Sequence, residues 1–165
     1  MGGNVRFSHC SIGLLVFLGW VVPRHGVAEP NKVQYELQER CGKDAADLFK
    51  ADNPQPIYNS EDGQTVAGYE NHYSPELNQC FMLETDTFIG KKNGKPAGWV
   101  SYMLIDVNEN KQYGNFLKLT IDSNGNLIDP TNYDLVPIVC RVRDTFCHSE
   151  AQWKQLLKPY MGDAN

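Results

Sequence analysis

Four cysteines constrain this chain more than any other feature. The sequence holds five, Cys10, Cys41, Cys80, Cys140 and Cys147, but the first belongs to an apolar N-terminal run with a different purpose. After Arg6 no charge occurs before residue 24, and "CSIGLLVFLGWVV" (10–22) is followed by "PRHGVAEP". Such a run is too short to span a bilayer, which takes about 20 residues. It has the n-region, h-region and small-residue cleavage site of a secretory signal peptide, with Gly26 at −3 and Ala28 at −1. Cleavage after Ala28 is expected to remove residues 1–28, Cys10 with them, and to leave one domain, 29–165. The alternative is an uncleaved anchor helix, against which stand its length and its weak positive flank. Cys10 precedes the apolar run instead of closing it, so a lipoprotein is not expected.

An even number of cysteines in a small exported chain reads as two disulfides. Of the three connectivities, Cys41–Cys80 and Cys140–Cys147 are expected. The first would tie an early helix to a sheet, and the second would close a short loop. On the loop-closure account they contribute about 4 and about 2.5 kcal/mol, comparable to the whole stability of many small domains. Zinc is the competing use of these sulfurs, with His72 or His148. No C-x-x-C or H-x-x-x-H spacing supports it, and neither a metal nor another cofactor is expected.

Charge narrows the partners. Without residues 1–28 the chain of 137 residues carries 13 basic against 20 acidic side chains, a formal charge of −7. Its lysines are scattered, so it lacks the electrostatic footprint of a nucleic-acid binder. An anionic membrane surface would repel it. Neither nucleic acid nor membrane is an expected partner of the processed chain.

The pattern of elements predicts an α+β domain. Residues 32–50 place Val33, Leu37, Cys41, Ala45 and Leu48 on one helical stripe, while Pro54 and Pro56 make 51–64 a loop. Four segments rich in β-branched and aromatic residues follow, at 65–73, 80–89, 98–107 and 114–123. Ser74-Pro75-Glu76, Asn93-Gly94 and Asn108–Gln112 supply the turns between them. Short turns between such strands make an antiparallel β-meander with one buried and one wetter face, and "IVCRVR" (138–143) brings the expected count to four or five strands. Ser149-Glu150-Ala151-Gln152 fits a capping box. Trp153, Leu156, Leu157 and Tyr160 then form the apolar stripe of a C-terminal helix, which Pro159 is expected to end or distort.

The chemistry candidates each have a plain structural reading. "DVNEN" (106–110) and "DSNGNLID" (122–129) imitate calcium loops but have Leu117 and Tyr133 where a bidentate Glu is required, and Asp, Asn and Gly make turns unaided. Glu84 and Asp86 share a strand face and could pair as acid and base; a solvated face of an acidic protein explains them as well. No phosphate loop, G-x-S-x-G elbow or H-E-x-x-H motif occurs. The densest cluster is "YENHYSPELNQCF" (69–81), in which Tyr69, Asn71 and Tyr73 share one face and Glu70 and His72 the other. Here Leu77 is expected to plug the turn, Asn78 to bond to the backbone, Phe81 to enter the core and His72 to hydrogen-bond across the hairpin.

Tyr69-x-x-His72-Tyr73, Leu77-Asn78-x-Cys80-Phe81 and "CHSEAQWKQLLKPYM" (147–161) resemble motifs of a group of small exported bacterial proteins of unassigned function. Cys41, Ala45, Ala46 and Phe49 match a further pattern of that group. The resemblance covers most of the processed chain and implies a periplasmic or secreted bacterial domain, with no activity attached. The chain departs from the group at the turn, where Pro75, Glu76 and Gln79 replace basic residues, and an anion-binding turn is not implied.

Two functional classes follow. The first is a non-enzymatic binding or inhibitor module of the cell envelope, using exposed aromatics such as Tyr69, Tyr73 or Tyr102, with His72 beside them, on a protein or small ligand. The second is a small hydrolase centred on His72, for which no nucleophile is identifiable. A carboxylate and a hydroxyl within hydrogen-bond reach of His72, in a concave pocket, separate the two.

Overall fold

A computed structural model describes residues 32–122, 124, 126 and 137–163. The expected signal peptide, and most of the second calcium-like segment, lie outside the described residues. Helix α1 (Lys32–Asp52) precedes seven strands: β1 (Ile57–Ser60), β2 (Gly63–Ser74), β3 (Gln79–Lys92), β4 (Lys95–Asp106), β5 (Lys111–Leu119), β6 (Val139–Val142) and β7 (Thr145–Phe146). Helix α2 (Glu150–Met161) closes the order. The strands form one antiparallel sheet in sequential order, β1 to β7. The α+β meander is therefore present, but with seven strands in place of the four or five expected.

The two additional strands have local causes. The chain bends through Pro54–Pro56 after α1, and Ile57–Ser60 then pairs back onto Gly63–Val66. The loop expected at 51–64 is thus half hairpin. At the other edge, Arg143 at φ 50° turns the chain, and Thr145–Phe146 adds a two-residue strand to β6. A strand that short leaves no periodicity to read.

Both disulfides have the expected partners, Cys41 with Cys80 and Cys140 with Cys147, the arrangement of a chain that folds in an oxidising compartment. They anchor on opposite faces of the sheet, which overturns the expectation of one buried and one wetter face. Register pairs Met82 with Asn71 and Ile105, and Phe81 with His72 and Asp106. Alternation then sends Cys80, Met82 and Ile105 towards α1, where they meet Cys41 and Ala45. Phe81, Leu83, Leu104 and Phe116 point the other way and pack with Trp153, Leu157 and Met161 of α2. With a helix on each side, Cys80 to Glu84 form an unbroken buried run in β3, the pattern of a strand covered on both faces.

A register shift between β4 and β5, at Leu104 and Ile105, leaves Tyr113 opposite no single partner. A bulge of this kind re-aims a side chain. Tyr113 here meets Phe81 and Tyr160 edge-on, with ring centroids 5.5 and 5.9 Å away, under the guanidinium of Arg143. The capping box of α2 forms in half: Ser149 Oγ accepts from the Gln152 N–H, but Gln152 Oε1 reaches one residue further back and accepts from the His148 N–H instead of that of Ser149. The helix does not stop at Pro159. It continues to Met161 and ends at Gly162, whose N–H donates to Lys158 O at φ 72°, while Pro159 O accepts from the Ser74 hydroxyl.

Candidate functional site

The three binding residues expected from sequence do not converge. Tyr69 faces α1 and packs on Phe49, centroid to centroid 4.6 Å. Tyr73 is on the same face but only 8% exposed, and its hydroxyl donates to Asn78 Oδ1 at 2.6 Å. It is a core residue, not an exposed contact, because the Cys41–Cys80 bridge pulls α1 down over it. Tyr102 is likewise packed, against Phe116, and burial raises its hydroxyl pKa, with Glu150 and Glu70 adding to the shift. Asn78 thus bonds a side chain instead of backbone, from the left-handed region (φ 51°), and Leu77, 42% exposed, does not plug the turn. Phe81 is fully buried, as expected.

His72 lies on the α2 face. A Cβ placed on Gly162 would sit 3.4 Å from His72 Cε1, so the ring rests against the C-cap of α2. A shallow recess of about 250 Å³ also holds Ser74, Glu76 and Asp163. Ser74 is the only hydroxyl side chain in that lining, and it is committed: it donates to Pro159 O at 3.1 Å and accepts from the Leu77 N–H at 3.4 Å. No hydrogen bond joins the His72 ring to a carboxylate or hydroxyl among the described residues, and the cross-hairpin bond expected of it is replaced by packing on α2.

Glu84 and Asp86 do share the α1 face, as the alternation required. Glu84 accepts from Asn53 Nδ2 at 3.0 Å, a bond delivered by the end of α1. Burial raises its pKa above the ordinary carboxyl value, opposed by the Asn53 bond and reinforced by Asp86 and Asp52. Burial raises Asp86 in the same direction. Asp106 is a turn residue: it accepts from the N–H groups of Asn108 and Glu109 and from Gln79 Nε2. Asp122 similarly accepts from the N–H groups of Asn124 and Asn126. No cluster of three or more His, Cys, Asp or Glu residues is placed to hold a metal ion among the described residues. Nor is any described helix long and apolar enough to cross a membrane.

A larger concavity than the His72 recess lies at the end of the sheet beyond both helices. β3 and β4 run out to the Asn93-Gly94 turn, whose φ values of 57° and 76° are those of a tight hairpin. On the α1 face of this extension, Phe88 and Trp99 are cross-strand partners, with rings 5.8 Å apart and 20° from parallel. They floor a cleft of about 820 Å³, walled by the β1–β2 turn at Asp62, by the β3–β4 hairpin, and by Leu119, Ile121 and Asp122. Leu119 is 47% exposed, and Lys91, Lys92 and Lys95 stand on the hairpin rim. The sequence does contain the signal for this site. Counting back from a two-residue Asn-Gly turn pairs residue 92 with 95 and therefore 88 with 99. What it lacks is any sign that neither helix reaches that far.

Comparison with protein-family models, with curated proteins and with solved structures finds no match to this chain.

Proposed function

We propose that the chain is an exported, periplasmic or secreted, non-enzymatic binding module of the bacterial cell envelope, and that it binds through the cleft floored by Phe88 and Trp99. The observation that carries this reading is the cleft itself: two paired, half-buried aromatic rings line it at one end of a sheet whose other end is sealed by two helices and two disulfides. A mostly apolar concavity with a few polar groups at its rim is the common form of a ligand site. The resemblance to small exported bacterial proteins points to the same compartment. The hydrolase reading is the weaker one, since the Ser74 hydroxyl beside His72 is engaged with α2 backbone.

Affinity capture from envelope extract, with the oxidised chain as bait, tests the proposal. The expected result is a ligand retained by the wild-type chain and released by Trp99→Ala at unchanged melting temperature. Capture unaffected by Trp99→Ala, or catalytic turnover abolished by His72→Ala, overturns it.

A further inference from the structure

We propose a second site, at the β6–β7 edge of the sheet, that takes the C-terminal residue of a peptide: its carboxylate on Arg141, its N–H on Asn115 and its apolar side chain against Phe146. The recess there shares no lining residue with the Phe88–Trp99 cleft, so the inference stands apart from the reading of that cleft.

The register builds the site. Asn115 of β5 pairs with Arg141 of β6, and Arg141 with Phe146 of β7, so the three side chains stand side by side on one face. Asn115 also pairs with Met103, which makes this the α1 face. Helix α1 packs on β2 and β3, and at the far edge Phe146 is 71% exposed. With Val139 and His148 the three residues line a recess of about 440 Å³ beside the Cys140–Cys147 bridge, a size that suits a small ligand.

Each of the three side chains calls for a different chemical group. Arg141 is exposed, and no ion pair among the described residues engages it. The described lining holds no carboxylate, and Asp144 of the β6–β7 turn is not part of it. An unopposed guanidinium selects an anion, and its fork matches a carboxylate. Asn115 Oδ1 is buried and accepts no hydrogen bond among the described residues. Buried acceptors are normally paired, so this one calls for a donor. The exposed Phe146 ring calls for an apolar group.

A simple anion leaves Asn115 Oδ1 unpaired. A carboxylate, an N–H and an apolar side chain branch together from one Cα in the last residue of a peptide. Cross-strand neighbours such as Asn115 and Arg141 have Cβ atoms about 5 Å apart, close enough for one residue to reach both. The preceding peptide backbone also finds a partner. Cys147 N–H donates to Cys140 O, so by alternation the N–H and C=O of Phe146 face away from β6, towards the open edge. A free amino acid makes no use of that edge, and its ammonium would sit beside the Arg141 charge.

The test is an NMR titration of the disulfide-bonded chain, read at the Asn115 side-chain amide, the Phe146 backbone amide and the Trp99 indole. The probes are the acetylated tripeptide Ala-Ala-Leu as the free acid, the same peptide with an amidated C terminus, free leucine, acetate and inorganic phosphate. The free-acid peptide is expected to shift the Asn115 and Phe146 signals saturably and to leave Trp99 unmoved. It should bind at least about tenfold more tightly than the amidated peptide, leucine or acetate. Arg141→Gln is expected to erase the preference for the free acid, Asn115→Leu to weaken the free acid by about tenfold, and Phe146→Ser to weaken both peptides. Arg141 and Phe146 are exposed, so their variants carry the test even where Asn115→Leu fails to fold. No response to the free acid at about 10 mM, equal affinity for the amidated peptide, leucine or acetate, a response to phosphate without one to peptide, or shifts confined to Trp99 overturns the assignment.

Discussion

The two ends of the β3–β4 ribbon are built on opposite principles. At the end formed by Cys80–Glu84 and Met103–Asp106, both faces are covered, one by α1 through Cys41 and Ala45 and the other by α2 through Trp153 and Leu157. At the end formed by Phe88–Lys92 and Lys95–Trp99, the same two strands continue with neither helix over the paired rings. Backbone pairing is continuous, so hydrogen bonding does not separate the ends. Burial does. The covered end carries the fully buried contacts of the domain, whereas Phe88 and Trp99 at the other end are half-buried and Lys91 to Pro96 are exposed.

The sharpest way to break this comparison is at the disulfides of the covered end. Replacing Cys41 and Cys80 together by Ala is expected to cost about 4 kcal/mol, and replacing Cys140 and Cys147 about 2.5 kcal/mol, in proportion to the loops they close. Denaturant titration checks both. An inverted order would mean that the face under α2, and not that under α1, depends more on its staple.

At the open end, Trp99→Ala is expected to change stability by less than about 1 kcal/mol while abolishing ligand capture. A loss of several kcal/mol in thermal unfolding would show that the rings belong to the core after all.

His72 tests the border between recess and scaffold. It packs on the α2 cap without a hydrogen bond among the described residues, so His72→Ala should cost no more than about 1 kcal/mol, below the usual penalty for a lost buried hydrogen bond. Unchanged stability together with loss of a hydrolytic activity would favour the alternative function.

The smallest effect is expected at Glu84. Its folded-state pKa is raised, chiefly by burial, so the folded chain binds its proton more readily than the unfolded chain does. The stabilisation from that proton is complete below the ordinary carboxyl pKa and is lost as pH rises through the raised folded value; Asp86 acts in the same sense. Glu84→Gln keeps an acceptor for Asn53 and removes the buried charge, and should raise the melting temperature slightly at neutral pH but not in acid. A rise of equal size at both pH values would show that burial of charge is not the cause.

Much of this architecture is legible without coordinates. The cysteine pairing follows from one half-cystine on a helical stripe and another pair eight positions from end to end. The β3–β4 turn follows from Asn93-Gly94, because positive φ at both positions is tolerated by those residues and by few others. The capping box at Ser149 and the alternation that parts His72 from Tyr69 and Tyr73 are equally local. The turn, the cap and the alternation are each fixed by stereochemistry within a few residues, which the sequence by itself determines.

What only the tertiary structure decided is where the helices land. The strand at Ile57–Ser60 exists because β2 offers it an edge, not because its own four exposed residues demand a strand. Tyr73 is buried and Leu77 exposed because α1 is drawn onto one face at Cys80. His72 meets Gly162 across a gap of ninety positions in sequence. Phe88 and Trp99 have the composition of core residues and would be core residues under a longer α1. They are only half-buried because burial is a property of what packs above a residue, and α1 ends at Asp52 and α2 lies on the opposite face.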